Sequence, residues 1–346
     1  MTAKSLLFRA AAAVASAGLT ASGFAWTINA RELVDVQFSA DDSLLILVSS
    51  PNALSPAGVY VWKHDADAPQ LLCRINSATS FSFDRKTIIE RVSAAAPQLR
   101  LYEPSTCRLL DRIQIDGVVM DADVHGKLIA VAVRLPDTTS ELRVYGKPAK
   151  RAKHDRVLAR AVIGRNVEMG FAPDGRSVVN FDLSDTAASA WRAATLAAVS
   201  LPTWTTEGET TFVPGSTFVK RYVADTLSVA RWPSGTVVYS MTTARSVPSV
   251  RSVRLRQLSG TGRYGALHSF DATNASATTG QSLEWIDFAT QKRVRLATGS
   301  IDNAAINVAG NRVAWVLRGS ELGDSVSVQF AQINADGNVV EKNAAK

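Results

Sequence analysis

The sequence predicts an all-β protein, a seven-bladed β-propeller with four-stranded blades. Two periodic markers and one absence predict it. The first marker is an apolar residue that ends one strand and is followed by a polar turn and a β-branched run. It recurs at Phe38, Phe81, Ala122, Phe171, Phe212, Leu258 and Ile306, 41 to 49 residues apart. The second is an aromatic near the end of a later alternating strand, at Trp62, Tyr102, Tyr145, Trp191, Trp232, Phe288 and Phe330, each 20 to 30 residues behind its partner. The absence is of helical periodicity: alternation by two dominates, and only residues 187–199 leave a helix open. Four short strands at this period bury each sheet against neighbouring blades, and radial closure protects the sheet edges.

Bulk composition agrees. A chain of 346 residues is long enough for a large repeat array, and 46% apolar against 20% charged residues excludes a disordered chain. The formal charge is +7, and loss of the first 25 residues would take away only Lys4 and Arg9. A basic balance of this kind favours weak attraction to nucleic acid, acidic lipid or acidic proteins and does not bear on the fold.

The N-terminus reads as a targeting segment. Residues 1–31 contain no acid, Lys4 and Arg9 come early, and residues 10–25 are small, apolar and uncharged. This resembles a secretory signal peptide, with Gly23-Phe24-Ala25 as the cleavage site. The Ala-rich run and the Arg, Ser and Thr content also suit a mitochondrial presequence. The expectation ranks export, periplasmic or secreted, ahead of mitochondrial import, and a cytoplasmic protein last. No later stretch has the length and apolarity of a membrane span. The expected organisation is a targeting segment over 1–25, one propeller over 26–341 and a short polar tail over 342–346.

Taken in order, the blades are copies of one unit. Its cleanest copy is FAPDGRSVVNF at 171–181, a strand, a Pro-Asp-Gly turn and a second strand. After most of the marker aromatics comes a turn and a fourth strand, over 70–75, 108–113, 236–241, 292–297 and 337–340. Ring closure has two solutions: residues 26–32 pair with the C-terminal strand near Val339, or the last blade is complete in itself. FAPDGRSVVNF, FSADDSLLILV (38–48) and RWPSGTVVYS (231–240) resemble the WD-repeat and related YVTN-type propellers, over about residues 33–341. The Gly-His and Trp-Asp dipeptides of true WD repeats are missing; Trp62 is followed by Lys63 and Trp285 by Ile286. Without the His and Asp network of those repeats, the blades are expected to rely more on apolar packing.

Reactive chemistry is sparse. Cys73 and Cys107 are too few for a disulfide framework and too far apart for a zinc knuckle or a CxxC pair. Two separate thiols are expected, with a single bridge in an oxidising compartment as the alternative. The GxGxxG match at Gly260-Thr-Gly262-Arg-Tyr-Gly265 lacks a following helix and reads as a glycine-rich hairpin, not a dinucleotide site. Asp121, Asp123 and Gly126 echo the start of a calcium loop, but its twelfth position is Ala132, so a hairpin at His125-Gly126 is expected. His64, His125, His154 and His268 are scattered over different blades, and there is no GxSxG elbow. No catalytic, cofactor or metal residue is assigned, and no cofactor is expected.

One charged segment stands out. Residues 143–165 carry Arg143, Lys147, Lys150, Arg151, Lys153, Arg156, Arg160 and Arg165 against only Asp155. It falls where blade 3 turns from its third to its fourth strand, and a basic loop there would suit an acidic or nucleic-acid surface. The leading expectation for function is a non-enzymatic scaffold for protein partners, as a subunit of a larger complex. The resemblance to YVTN-like lactonases implies the rival, an enzyme with acid, His and Arg side chains around the central channel. A third reading is an RNA- or ribosome-associated propeller using the basic loop. An acid, His and Arg cluster at one channel mouth would favour the enzyme; a lining of Val, Ser and Ala would favour the scaffold.

Overall fold

The computed structural model describes residues 24–28, 33–49, 57–63, 66–75, 77–92, 97–146, 157–163, 168–181, 189–206, 209–213, 215–223, 226–242, 251–271, 281–318 and 326–340. Its first strand, β1 (Phe24–Ile28), belongs to the last blade. Blade 1 is β2 (Leu33–Phe38), β3 (Leu44–Ser49), β4 (Gly58–Trp62) and β5 (Gln70–Arg74). Blade 2 is β6 (Ala78–Phe81), β7 (Ile88–Val92), β8 (Gln98–Tyr102) and β9 (Leu109–Gln114). Blade 3 is β10 (Val118–His125), β11 (Leu128–Arg134), β12 (Ser140–Gly146) and β13 (Val157–Ile163). Blade 4 has three strands, β14 (Glu168–Phe171), β15 (Ser177–Phe181) and β16 (Ser189–Arg192).

Blade 5 is β17 (Glu209–Phe212), β18 (Phe218–Val223), β19 (Thr226–Arg231) and β20 (Val237–Thr242). Blade 6 is β21 (Arg251–Leu258), β22 (Tyr264–Asp271), β23 (Ser282–Asp287) and β24 (Lys292–Thr298). Blade 7 is β25 (Ser300–Ile306), β26 (Arg312–Arg318), β27 (Val326–Ile333) and, on its outer edge, β28 (Val339–Val340) together with β1. Every sheet is antiparallel, with strands paired in chain order outside the closure.

The two markers fall where a blade needs them. Six of the seven apolar markers are the last residue of an innermost strand; the seventh, Ala122, lies inside β10, which runs on to a two-residue turn at Gly126 and Lys127. The Pro173-Asp174-Gly175 turn shows why the unit is polar there. Gly175 takes φ +67°, its N–H donates to the Ala172 carbonyl at 2.8 Å, and the Asp174 carboxylate accepts the Arg176 N–H at 3.0 Å. A side chain at 175 would be strained in that left-handed region.

Blade 4 departs from the four-strand pattern. Among the described residues its outer edge is covered by residues 197–199, through Arg192 N–H to Ala197 O at 2.8 Å and Val199 N–H to Ala190 O at 3.0 Å. The stretch that left a helix open therefore holds β16 and a turn where it is described, and the one helical turn among the described residues is a 3-10 turn at Thr203–Thr206.

Among the described residues seven apolar clusters lie between the blades, one at each blade interface. Val36, Ile46 and Trp62 of blade 1 pack with Ala314, Val316 and Phe330 of blade 7, and the Trp62 and Phe330 rings meet edge to face at 5.1 Å. Leu227 and Val229 of blade 5 pack with Leu255 and Ile286 of blade 6 in the same way. A propeller blade cannot bury both of its faces alone, so the ring itself is the unit of stability.

Closure uses the N-terminal strand, but not at the expected place. β1 pairs with β27, from Phe24 opposite Phe330 to Ile28 opposite Val326. β28 occupies the same edge of β27 further along, with Val339 opposite Ile333. The fourth strand of blade 7 is thus assembled from both ends of the described chain, β1 beginning two residues ahead of the expected boundary at Trp26. Arg312 reinforces the seam: buried between the Phe38 and Phe330 rings at 5.4 Å from each, it donates to the Asp42 carbonyl at 2.6 Å.

The expectation of two separate thiols is corrected. Cys73 and Cys107 form a disulfide with Cα atoms 6.1 Å apart. The outer strand β5 carries Cys73 beside blade 2, where Cys107 sits at φ 55° in the turn between β8 and β9. The bridge therefore joins the rims of adjacent blades.

Candidate functional site

The innermost strands of the blades surround the central channel, and bulges there set the side-chain pattern. β10, β21 and β25 each carry a register shift, between Val119 and Asp121, Leu255 and Gln257, and Ile301 and Asn303. A bulge adds a residue and re-aims its neighbours. Asp121 and Asn303, each beside a bulge, and Asp35, on the regular β2, behave alike, each accepting the N–H of the next residue at 2.8 to 2.9 Å.

Their remaining capacity goes to other blades. The Asn303 amide donates to Asp35, whose second oxygen lies 3.5 Å from Arg85. Asp121 accepts the Met169 N–H at 3.0 Å and lies 3.6 Å from Arg91. Asp123 takes the backbone N–H groups of Phe83, Phe171 and Val124 at 2.7, 2.7 and 2.8 Å. One carboxylate thereby ties blades 2, 3 and 4. Burial lifts its pKa to about 6, against the lowering effect of those three donors.

Asp35, Ser80, Phe81, Arg85, Asp121 and Met169 line a cleft of about 180 Å³ beside Asp123. Its floor is a plug supplied by blade 2. The turn after β6 carries Phe83 across the ring to blade 5, where it meets the Phe212 ring edge on at 6.1 Å and its carbonyl accepts the Gly215 N–H at 2.7 Å. Gly215 has φ +73°, and a Cβ there would approach the Arg85 side chain to 3.1 Å, so the crossing needs a glycine. On blade 1, Gln37 donates to the Arg85 carbonyl at 3.2 Å.

Acids and arginines thus gather at the channel, but the described histidines do not join them. His125 packs on Phe171 with centroids 5.8 Å apart, at the hairpin predicted for it. His268 is buried in blade 6 with Arg256 at 2.8 Å from Nδ1 and Gln281 Oε1 at 3.0 Å from Nε2. Because an arginine only donates, Nδ1 is the acceptor and Nε2 carries the proton. His64 and His154 lie outside the described residues. The GxGxxG stretch forms the β21–β22 hairpin, and its Arg263 makes a two-pronged pair with Asp287 at 2.9 and 2.7 Å. Among the described residues no group of three or more His, Cys, Asp or Glu side chains is placed to hold a metal, and no helix is long and apolar enough to cross a membrane.

The basic segment is only partly a loop. Arg143 lies within β12 with its side chain buried, donating to Glu141 at 2.9 Å and to the Asp116 carbonyl at 3.1 Å. It is a core residue and not a loop ligand, because strand alternation turns it toward blade 2. Arg160 lies on β13, exposed, 3.8 Å from Glu141. Lys147, Lys150, Arg151, Lys153, Arg156 and Arg165 lie outside the described residues.

Asp121 and Asp123 stand out in the sequence as alternating acids, but their cross-blade partners do not, and nothing local marks Asp35, Arg85 or Phe83, whose partners lie on other blades.

Fold and channel define a seven-bladed β-propeller with mostly four-stranded blades. It is structurally similar to a chain in the crystal structure of the mitotic checkpoint complex, at 10% identity and TM-score 0.54, over 95% of this chain and 100% of that one. It is also similar to a 6-phosphogluconolactonase-like protein of Bacteroides fragilis, at 15% identity and TM-score 0.50, over 88% and 95% of the two chains. No protein-family model and no curated protein matches the sequence.

Proposed function

We propose that the protein is a non-enzymatic propeller scaffold that presents its surface to protein partners, as a subunit of a larger complex. The observation that carries this reading is the state of the channel acids. Asp35, Asp121 and Asp123 are committed to backbone N–H groups, Asn303 and arginines of neighbouring blades, so they staple the ring. A general base needs a carboxylate with room to reach a substrate proton. The fold alone does not decide between scaffold and enzyme, since propellers host many activities.

Export to an oxidising compartment is part of the proposal, supported by the Cys73–Cys107 disulfide and by the acid-free N-terminal segment. The test is capture of the tagged protein from its native host at endogenous expression, with mass spectrometry of partners and of the mature N-terminus. A partner at fixed stoichiometry and a start near residue 24 are expected. A protein recovered alone, with an intact Met1, would overturn both parts.

A further inference from the structure

Blade 3 ends in an edge strand whose exposed side chains are mostly apolar. An outer strand offers unpaired backbone groups to any passing strand, and proteins blunt such edges with charge. β24 of blade 6 does so, exposing Lys292, Arg293 and Arg295. β13 does not. Val157, Ala159, Ala161 and Ile163 turn inward, while Leu158, Arg160 and Val162 form the exposed stripe. Leu158 is 42% and Val162 78% exposed, the latter the most exposed large apolar side chain among the described residues. Among those residues no strand pairs with the outer edge of β13.

The exposed charge that β13 itself carries is Arg160. Arg160 is 56% exposed, and the carboxylate paired with it among the described residues, Glu141 at 3.8 Å, is shared with Arg143 at 2.9 Å. The sequence that joins β12 to β13, residues 147–156, holds five Lys and Arg residues against Asp155.

We propose that β13 is a docking edge for an acidic, extended segment of a partner protein, which adds to blade 3 as a fifth strand. Main-chain hydrogen bonds supply affinity, apolar residues at alternate positions cover Leu158 and Val162, and a carboxylate meets Arg160. The inference rests on the scaffold reading and names the chemistry of its partner. A second copy of the chain fits less well, since two β13 strands paired about Arg160 would set like charges opposite each other. RNA fits less well too: β13 has no aromatic side chain on which a base could stack.

The experiment combines capture with position-specific crosslinking. A photoreactive benzoylphenylalanine at position 162 of the otherwise unchanged full-length chain is irradiated in the native host. In parallel, Arg160→Glu with Val162→Glu is compared with wild type for partner recovery and melting temperature. The expected result is a crosslink to an acidic, strand-forming segment and a loss of recovery of about tenfold with an unchanged melting temperature. Equal recovery by the folded double variant overturns the docking edge and leaves the scaffold reading standing. A crosslink to RNA or to a second copy overturns the acidic-peptide assignment. Wild type that captures nothing overturns both readings.

Discussion

Replacing Asp123 by alanine is expected to lower the melting temperature by on the order of 10 °C. The carboxylate is buried and accepts three N–H groups, two of them from other blades, Phe83 on blade 2 and Phe171 on blade 4. A buried donor left without a partner costs about 1 to 3 kcal/mol, so the two cross-blade donors alone lose about 4 kcal/mol. For a chain of this size each kcal/mol is worth about 2 to 3 °C. Asp123→Asn should fall between wild type and alanine, because its amide keeps one acceptor oxygen and turns an NH2 toward an N–H.

The same residue gives a pH signature. Burial raises Asp123 from 3.8 to about 6, so between those values the folded chain holds a proton that the unfolded chain has lost. The stability this contributes is complete below about pH 4 and is lost as pH rises through about 6. The advantage of wild type over Asp123→Asn should therefore shrink between pH 4.5 and pH 7 in denaturant unfolding. A difference constant over that window would show that the carboxylate is not desolvated as described.

Removal of β1 is expected to have a comparable effect. A chain lacking residues 1–23 should melt like one processed at the same point, whereas a chain lacking residues 1–28 should melt on the order of 10 °C lower. The second deletion strips five register pairs from β27 and opens the edge on which the ring closes. At a net value of about 1 kcal/mol per hydrogen bond, the loss is about 5 kcal/mol. Equal melting temperatures for the two chains would mean that Arg312 and the apolar seam of Val36, Trp62 and Phe330 close the ring without the strand.

These expectations draw on features of very different visibility. Strand positions were legible because both markers are local: an apolar residue before a turn and an aromatic at a strand end keep phase over every blade. The fourth strand of blade 3 was not, because VLARAVI alternates small apolar and exposed residues inside a basic stretch that reads as loop. Residues 187–199 of blade 4 left a helix open for a related reason, an alanine-rich edge with neither helical nor strand bias.

The channel was least visible. Asp123 binds backbone N–H groups 40 and 48 residues away, and a backbone donor leaves no mark in the sequence. Phe83 lies in the turn after β6, and only the ring brings it against Phe212 and Gly215. Cys73 and Cys107 meet across a gap between blades whose register no local pattern encodes.

The central claim, that the channel acids hold blades together and perform no chemistry, is tested most directly by assaying purified wild type and Asp121→Asn side by side. The substrates are a panel of lactones and phosphate esters, and the melting temperature of each protein is recorded. The account predicts no turnover above buffer for either protein and a lower melting temperature for the variant, which weakens the contacts to Met169 and Arg91. Turnover by wild type that Asp121→Asn abolishes without changing the melting temperature would contradict it and make the cleft an active site.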